Sequence, residues 1–166
     1  MRNWAILFLS LTISFLGFYF LYRSYAFVFF VQDHQVIKIV LKKSFFASEE
    51  RELLVEVVKT RESISKGLSL REDLVSLDGQ KLDSLLFIFP EPSFQNFWMK
   101  NMLFNIDICW LNDLTFVACE RNAKLPVLGE ELEVYKSPKR VNAVLETKPD
   151  QLSDQELKLK LFFKWR

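Results

Sequence analysis

The chain has 166 residues, of which 22 are basic, 21 acidic and one histidine, with half of the sequence apolar and 15% aromatic. Its charge is unevenly placed, because residues 1–31 carry only Arg2 and Arg23 and the remainder holds 20 basic and 21 acidic side chains with the signs interspersed. Such a mixture excludes the basic footprint of a nucleic-acid-binding protein, and the residues beyond the first segment suffice for one core but not two.

From Trp4 to Tyr22 the chain is apolar, aromatic or small without a single charge. As a helix this stretch rises about 28 Å, close to the ~30 Å hydrocarbon core of a bilayer. Residues 1–31 are therefore expected to be an N-terminal membrane anchor. A cleaved signal peptide is the alternative, since Ser24-Tyr25-Ala26 offers small residues at suitable positions and Arg2 a charged leader. The apolar run is longer than a signal core of ~7–15 residues, and Phe27 to Val31 prolongs it, which favours an uncleaved anchor. A buried helix of a soluble core fits least, because no polar face is present. Counting basic residues on either side leans weakly toward a cytoplasmic domain. The three-residue leader before Trp4 is instead the habit of an exported signal-anchor protein.

Residues 32–50 turn polar and read as a tether, with one short strand at Val36 to Leu41 where β-branched residues cluster. His34 lies in this tether, and a lone linker histidine is expected to be solvated. Residues 51–166 read as one domain. Leu53 to Lys59 is a strand; Thr60 then caps a short helix, Arg61 to Lys66, that Gly67 ends. The run Leu85 to Phe89 is a buried strand stopped by Pro90-Glu91-Pro92-Ser93. Further strands are expected at Phe94 to Lys100, Asn105 to Leu111, Leu114 to Glu120 and Asn142 to Thr147, with Asn112-Asp113 as a hairpin turn. In the strand through Phe97, alternation sends Phe97 and Met99 inward and Trp98 and Lys100 to the other face. Ser153 to Glu156 matches a capping box, followed by either a short helix and an edge strand or one longer helix.

The two cysteines, Cys109 and Cys119, fall on opposite faces of a hairpin turning at Asn112-Asp113 with a two- or four-residue loop, so two independent thiols are expected. Neither has a metal-ligand spacing, and no histidine stands ready to activate Cys109. No metal or other cofactor is expected. Nucleophile elbows, phosphate-binding glycine loops and HExxH motifs are missing from the sequence, which argues against a familiar enzyme.

Polar chemistry concentrates elsewhere. Asp107 sits between Ile106 and Ile108 on a strand face shared with Cys109 and Leu111, and a carboxylate on such a face needs a partner. Lys100 and Asn101 lie at the turn leading to it, and Glu146 follows the apolar pair Val144-Leu145. Trp98, Lys100, Asn101, Asp107 and Glu146 are thus the candidate ligand-binding residues, with a structural ion pair as the plainer interpretation.

The block Phe97-Trp98-Met99-Lys100-Asn101 followed by Ile106-Asp107-Ile108 resembles the signature of the domain of unknown function 192 family. Thr60-Arg61-Glu62 through Lys66-Gly67-Leu68 with Arg71, the strand Leu85 to Phe89, Ala123 to Pro126, Tyr135-Lys136-Ser137 and Val144-Leu145-Glu146 resemble further elements in the family's order. Ser69, Ser84, Met102, Asn105 and Lys148-Pro149 depart from its usual residues, which marks a divergent member. The resemblance implies an α+β fold, mainly antiparallel β in a small mixed sheet or barrel, with one or two short helices, often exported or membrane-attached. It tips the orientation toward the outside of the cytoplasm and brings no established activity.

The expectation is a single-pass cell-membrane protein, held in the lipid bilayer through residues 4–22, whose extracytoplasmic domain is a non-catalytic module binding a small polar ligand, glycan or peptide. An accessory protein of the cell envelope is the alternative. A hydrolase using Lys100, Asp107 and Glu146 comes third.

Overall fold

The structure is a computed structural model that describes residues 30–44, 46–127 and 129–164. The expected membrane segment, Trp4 to Tyr22, lies outside them. Among the described residues, no helix is long and apolar enough to cross a membrane. The chain divides into two compact units between Gln32 and Asp33, and the second begins at Asp33.

This second unit is mostly β. Its strands are β1 (Val36–Lys42), β2 (Arg51–Val58), β3 (Ser84–Ser93), β4 (Asn96–Trp98), β5 (Ile106–Asn112), β6 (Thr115–Ala123), β7 (Val134–Lys136), β8 (Val141–Thr147) and β9 (Lys160–Phe163). One short helix, α1 (Arg61–Lys66), follows β2, and a 3-10 turn, Glu156–Lys158, precedes β9. Seven strands close into a barrel in the order β1-β2-β3-β8-β5-β6-β9, while β4 and β7 form a separate two-stranded flap. All the pairings are antiparallel except β2 with β3. A parallel pair cannot be joined by a tight turn, so α1 and residues 67–83 form the crossover.

Register assigns the two faces of the barrel wall. Ile39, Leu53, Val55, Val57, Leu86, Leu145, Cys109 and Leu111 share one face and are fully buried. The other face carries the exposed Lys38, Glu52, Glu120 and Lys160, so it is the outside and the first set fills the interior. Over β2, β3, β8 and β5 the outside is covered as well. There Val58, Leu85, Phe87, Val144, Ile108 and Trp110 pack with Leu68, Leu74, Leu82, Met99, Met102 and Tyr135 from the crossover and the flap region. β3 and β5 are thus buried on both faces, which is why they read as near-continuous apolar runs rather than alternating ones.

The fold corrects several expectations. Residues 32–50 are not a plain tether: β1 lies between β2 and β9 and completes the barrel, with Ile37, Ile39 and Leu41 forming one interior row. For the same reason β9 is not an edge strand, having β1 on one side and a bridge to β6 at Thr115 and Lys160 on the other. β3 runs on through Pro90 to Ser93, with its register to β8 shifting between Ile88 and Ser93, where prolines are tolerated. The Thr60 cap is present: its side chain accepts from the Ser63 amide while the Ser63 hydroxyl accepts from the Thr60 amide. Ser153 and Glu156 likewise cap one another, around a single 3-10 turn.

The cysteines are joined. Cys109 and Cys119 form a disulfide, with Cα atoms 4.0 Å apart. The hairpin turns at Asp113 and Leu114, one residue later than expected, with φ of 46° and 59° in the left-handed geometry of a tight hairpin. Leu111 pairs with Phe116 but Trp110 with Ala118, so Val117 is an extra residue in β6. Turn position and bulge together shift the register until Cys109 faces Cys119.

Candidate functional site

The five candidate residues do not converge. Asp107, the second residue of β5, lies on the interior face, whereas Glu146 of β8 pairs with Ile108 and so projects outside the barrel. Adjacent in register, they are separated by the sheet. Asp107 is fully buried, and its partner is Arg121, whose Nη1 donates at 2.7 Å. The amides of Asn122 (2.7 Å) and Asp150 (3.2 Å) also donate to it. Burial works against the Arg121 charge, but hydrogen bonds to Asp107 and Asp154 outweigh it and hold the guanidinium pKa above its ordinary value. This constellation ties β5 and β6 to the turn after β8. Arg121 is not among the candidates read from sequence, because the cross-strand position of Asp107 depends on the bulged register of the hairpin.

Lys100 and Asn101 are exposed and take no part in it. Their backbone carbonyls are used instead: the Ser69 hydroxyl donates to the Lys100 oxygen at 3.0 Å and the Leu70 amide to the Asn101 oxygen at 2.8 Å. Trp98 faces solvent beside them, and Met99 is buried, as alternation requires. Phe97 packs edge-on against Phe87 and Trp110, with centroids 4.9 and 5.3 Å away.

Glu146 belongs to a different group. On the outer face Glu56 and Glu146 flank Leu85, one from β2 and one from β8. Arg71, from the turn after α1, grips Glu56 with both terminal nitrogens, at 2.6 and 3.0 Å, and donates to the Val75 carbonyl at 2.6 Å. His34 completes the group, with Nδ1 2.6 Å from Glu56 Oε1. The histidine is therefore half-buried and paired rather than solvated, since the chain before β1 folds back onto the barrel, where the His34 amide bonds to the Val57 carbonyl.

Glu146 itself is uncompensated. Its Oε2 is buried with no hydrogen-bond partner, and neither has the Nε of Arg71. Burial pushes the Glu146 carboxyl up to about 8, with only partial relief from the Arg71 charge, so at neutral pH it is largely protonated. Two buried carboxyl groups, one arginine already engaged by the first, and orphaned polar atoms on the second glutamate and the arginine make a polar site short of one partner. Nearby in the chain, an open depression of about 450 Å³ is lined by Glu72, Asp73, Phe104, Asn105 and Lys148 among others. Glu72 follows Arg71 directly, and a Lys148–Asp73 ion pair of 2.5 Å crosses its rim. Among the described residues, no group of three or more His, Cys, Asp or Glu side chains is placed to hold a metal ion.

The fold has solved counterparts. A crystal structure of a proposed transcription regulator from Sinorhizobium meliloti 1021 superposes with a TM-score of 0.63 at 20% identity, covering 80% of this chain and 97% of that one. A protein of unknown function from Novosphingobium aromaticivorans DSM 12444 gives 0.61 at 20% identity, covering 81% and 89%. At this identity the likeness concerns the fold alone. No curated protein matches the chain. The DUF192 family, described as Uncharacterized ACR, matches residues 43–160, and the chain is a member of that family.

Proposed function

We propose that this protein is a membrane-tethered, non-catalytic binding domain outside the cytoplasm, and that its ligand site is the outer-face cluster of Glu56, Arg71 and Glu146. The observation that carries the binding role is the buried, unpartnered Oε2 of Glu146 beside the equally unpartnered Nε of Arg71. Buried polar atoms in native proteins find partners, and a small molecule bearing both a hydrogen-bond donor and an acceptor would satisfy both. The Cys109–Cys119 disulfide supports the compartment, since such bonds persist in oxidising surroundings. The apolar segment Trp4 to Tyr22 supports the tether.

Thermal denaturation of the full chain in detergent against a panel of small sugars, amines and amino acids tests the binding role. Glu146→Leu removes the orphaned oxygen together with its desolvation cost, so this variant is expected to be at least as stable as wild type. A compound that raises the melting temperature of wild type but not of the variant is the expected result. If no compound shifts wild type, or if the shift persists in the variant, the site is wrong and the cluster is structural, as in an accessory envelope protein.

A further inference from the structure

The corner where the β4 end meets the turn after α1 displays an apolar surface that the fold does not require. Trp98 is 52% exposed, Leu70 70%, Leu103 50% and Val134 43%. Trp98 and Val134 are direct cross-strand partners on the flap, whose reverse side is anchored by Phe97 and Tyr135. Leu70 joins them through the hydrogen bond its backbone N–H donates to the Asn101 carbonyl, and Leu103 lies two residues beyond. Both Leu70 and Asn101 have left-handed backbones, with φ of 61° and 57°. A leucine rarely adopts that conformation, and here two interlocked turns hold one in it with its side chain in solvent. Lys66 and Lys100, both exposed, flank the corner. Tryptophan and leucine beside lysine is the composition of segments that settle at the boundary between lipid headgroups and acyl chains.

Where the chain enters the domain narrows the choice of occupant. Asp33 is fastened to the start of α1, accepting from the Lys59 amide (2.8 Å), the Thr60 hydroxyl (2.8 Å) and the Ser63 hydroxyl (2.8 Å). The other end of α1 leads through Gly67 to Leu70, and six helical residues span only about 9 Å. The chain arriving from the apolar segment thus enters within one short helix of the exposed corner. Only ten residues, 23–32, separate Tyr22 from Asp33.

We propose that the corner formed by Leu70, Trp98 and Leu103, flanked by Lys66 and Lys100, docks on the headgroup layer of an anionic phospholipid bilayer, a second contact that lays the domain on the membrane holding its N-terminal segment. This rests on the proposed membrane tether, and one experiment separates the two. The full chain and its Trp98→Phe variant are reconstituted into phosphatidylcholine–phosphatidylglycerol vesicles whose acyl chains are brominated near the headgroup, and tryptophan quenching is measured. Trp165 is replaced by Phe in both proteins, so that Trp4, in the apolar segment, reports the tether in each, while Trp110 is buried in the core. The expected result is quenching of the variant and a larger fractional quenching of wild type, the difference belonging to Trp98. Fractional quenching of wild type that is no larger than the variant's, as an unquenched Trp98 would give by diluting the signal, leaves the tether standing and overturns the docking. If neither protein is quenched, tether and docking both fail. A Leu70→Ser variant, with Trp98 intact, should lose most of the extra quenching at an unchanged melting temperature, and retention of that quenching would also count against the corner.

Discussion

Cys109 and Cys119 stand directly opposite one another across the β5–β6 hairpin and are bonded, with Cys109 in the barrel interior. The bond closes a loop with a sequence separation of 10. In the chain-entropy account, a loop of that size is worth about 3 kcal/mol of stability. Reductant should therefore lower the unfolding free energy of the full chain by that amount. Thiol titration of the unfolded, unreduced chain should find no free thiol, and two free thiols there would show that the bond is not formed.

Arg71 compensates the buried Glu56 charge with two hydrogen bonds, so truncating it leaves that carboxylate on the outer face of β2 with only His34 beside it. Arg71→Met should cost ~3–5 kcal/mol, and pairing it with Glu56→Leu should restore most of the loss. Chemical denaturation of the three proteins measures both. An Arg71→Met variant with unchanged midpoint would mean that the pair is solvated in solution.

Glu146 couples stability to pH with a definite sign. Its carboxyl is raised from 4.5 to about 8 in the folded protein, so over that window the folded state keeps a proton that the unfolded chain has released. Stability therefore falls as pH rises from 4.5 to 8, by at most ~5 kcal/mol, and this contribution is flat above that window. Glu146→Gln lacks the slope, and its advantage over wild type should grow from about pH 5 to about pH 8. Parallel stability profiles for the two proteins would place Glu146 in water.

Phe97 and Trp98 are neighbours with opposite duties. Phe97→Ala opens a hole between Phe87 and Trp110 and should cost about 3 kcal/mol. Trp98→Ala removes an exposed ring and should change stability by no more than ~0.5 kcal/mol. Equal losses on denaturation would mean that the flap packs in the opposite register.

Local chemistry made much of this legible in the sequence. Alternation around Phe97 and Met99, the Thr60 and Ser153 caps, and the apolar runs of β3 and β5 depend on neighbours within a few residues, and so do the approximate positions of most strands along the chain. Barrel closure was not legible, because β1 and β9 look like a polar tether and an edge until each supplies the other's hydrogen bonds. Nor was the disulfide, since one bulge residue, Val117, changes which side chains face each other along the whole hairpin. The candidate site divided for the same reason. Asp107 and Glu146 are both acids in apolar surroundings, but the pleat sends one inside the barrel to Arg121 and the other outside toward Arg71. Neither arginine is near its acidic neighbour in sequence, and a charge partner brought from a distant part of the chain is a property of tertiary packing alone.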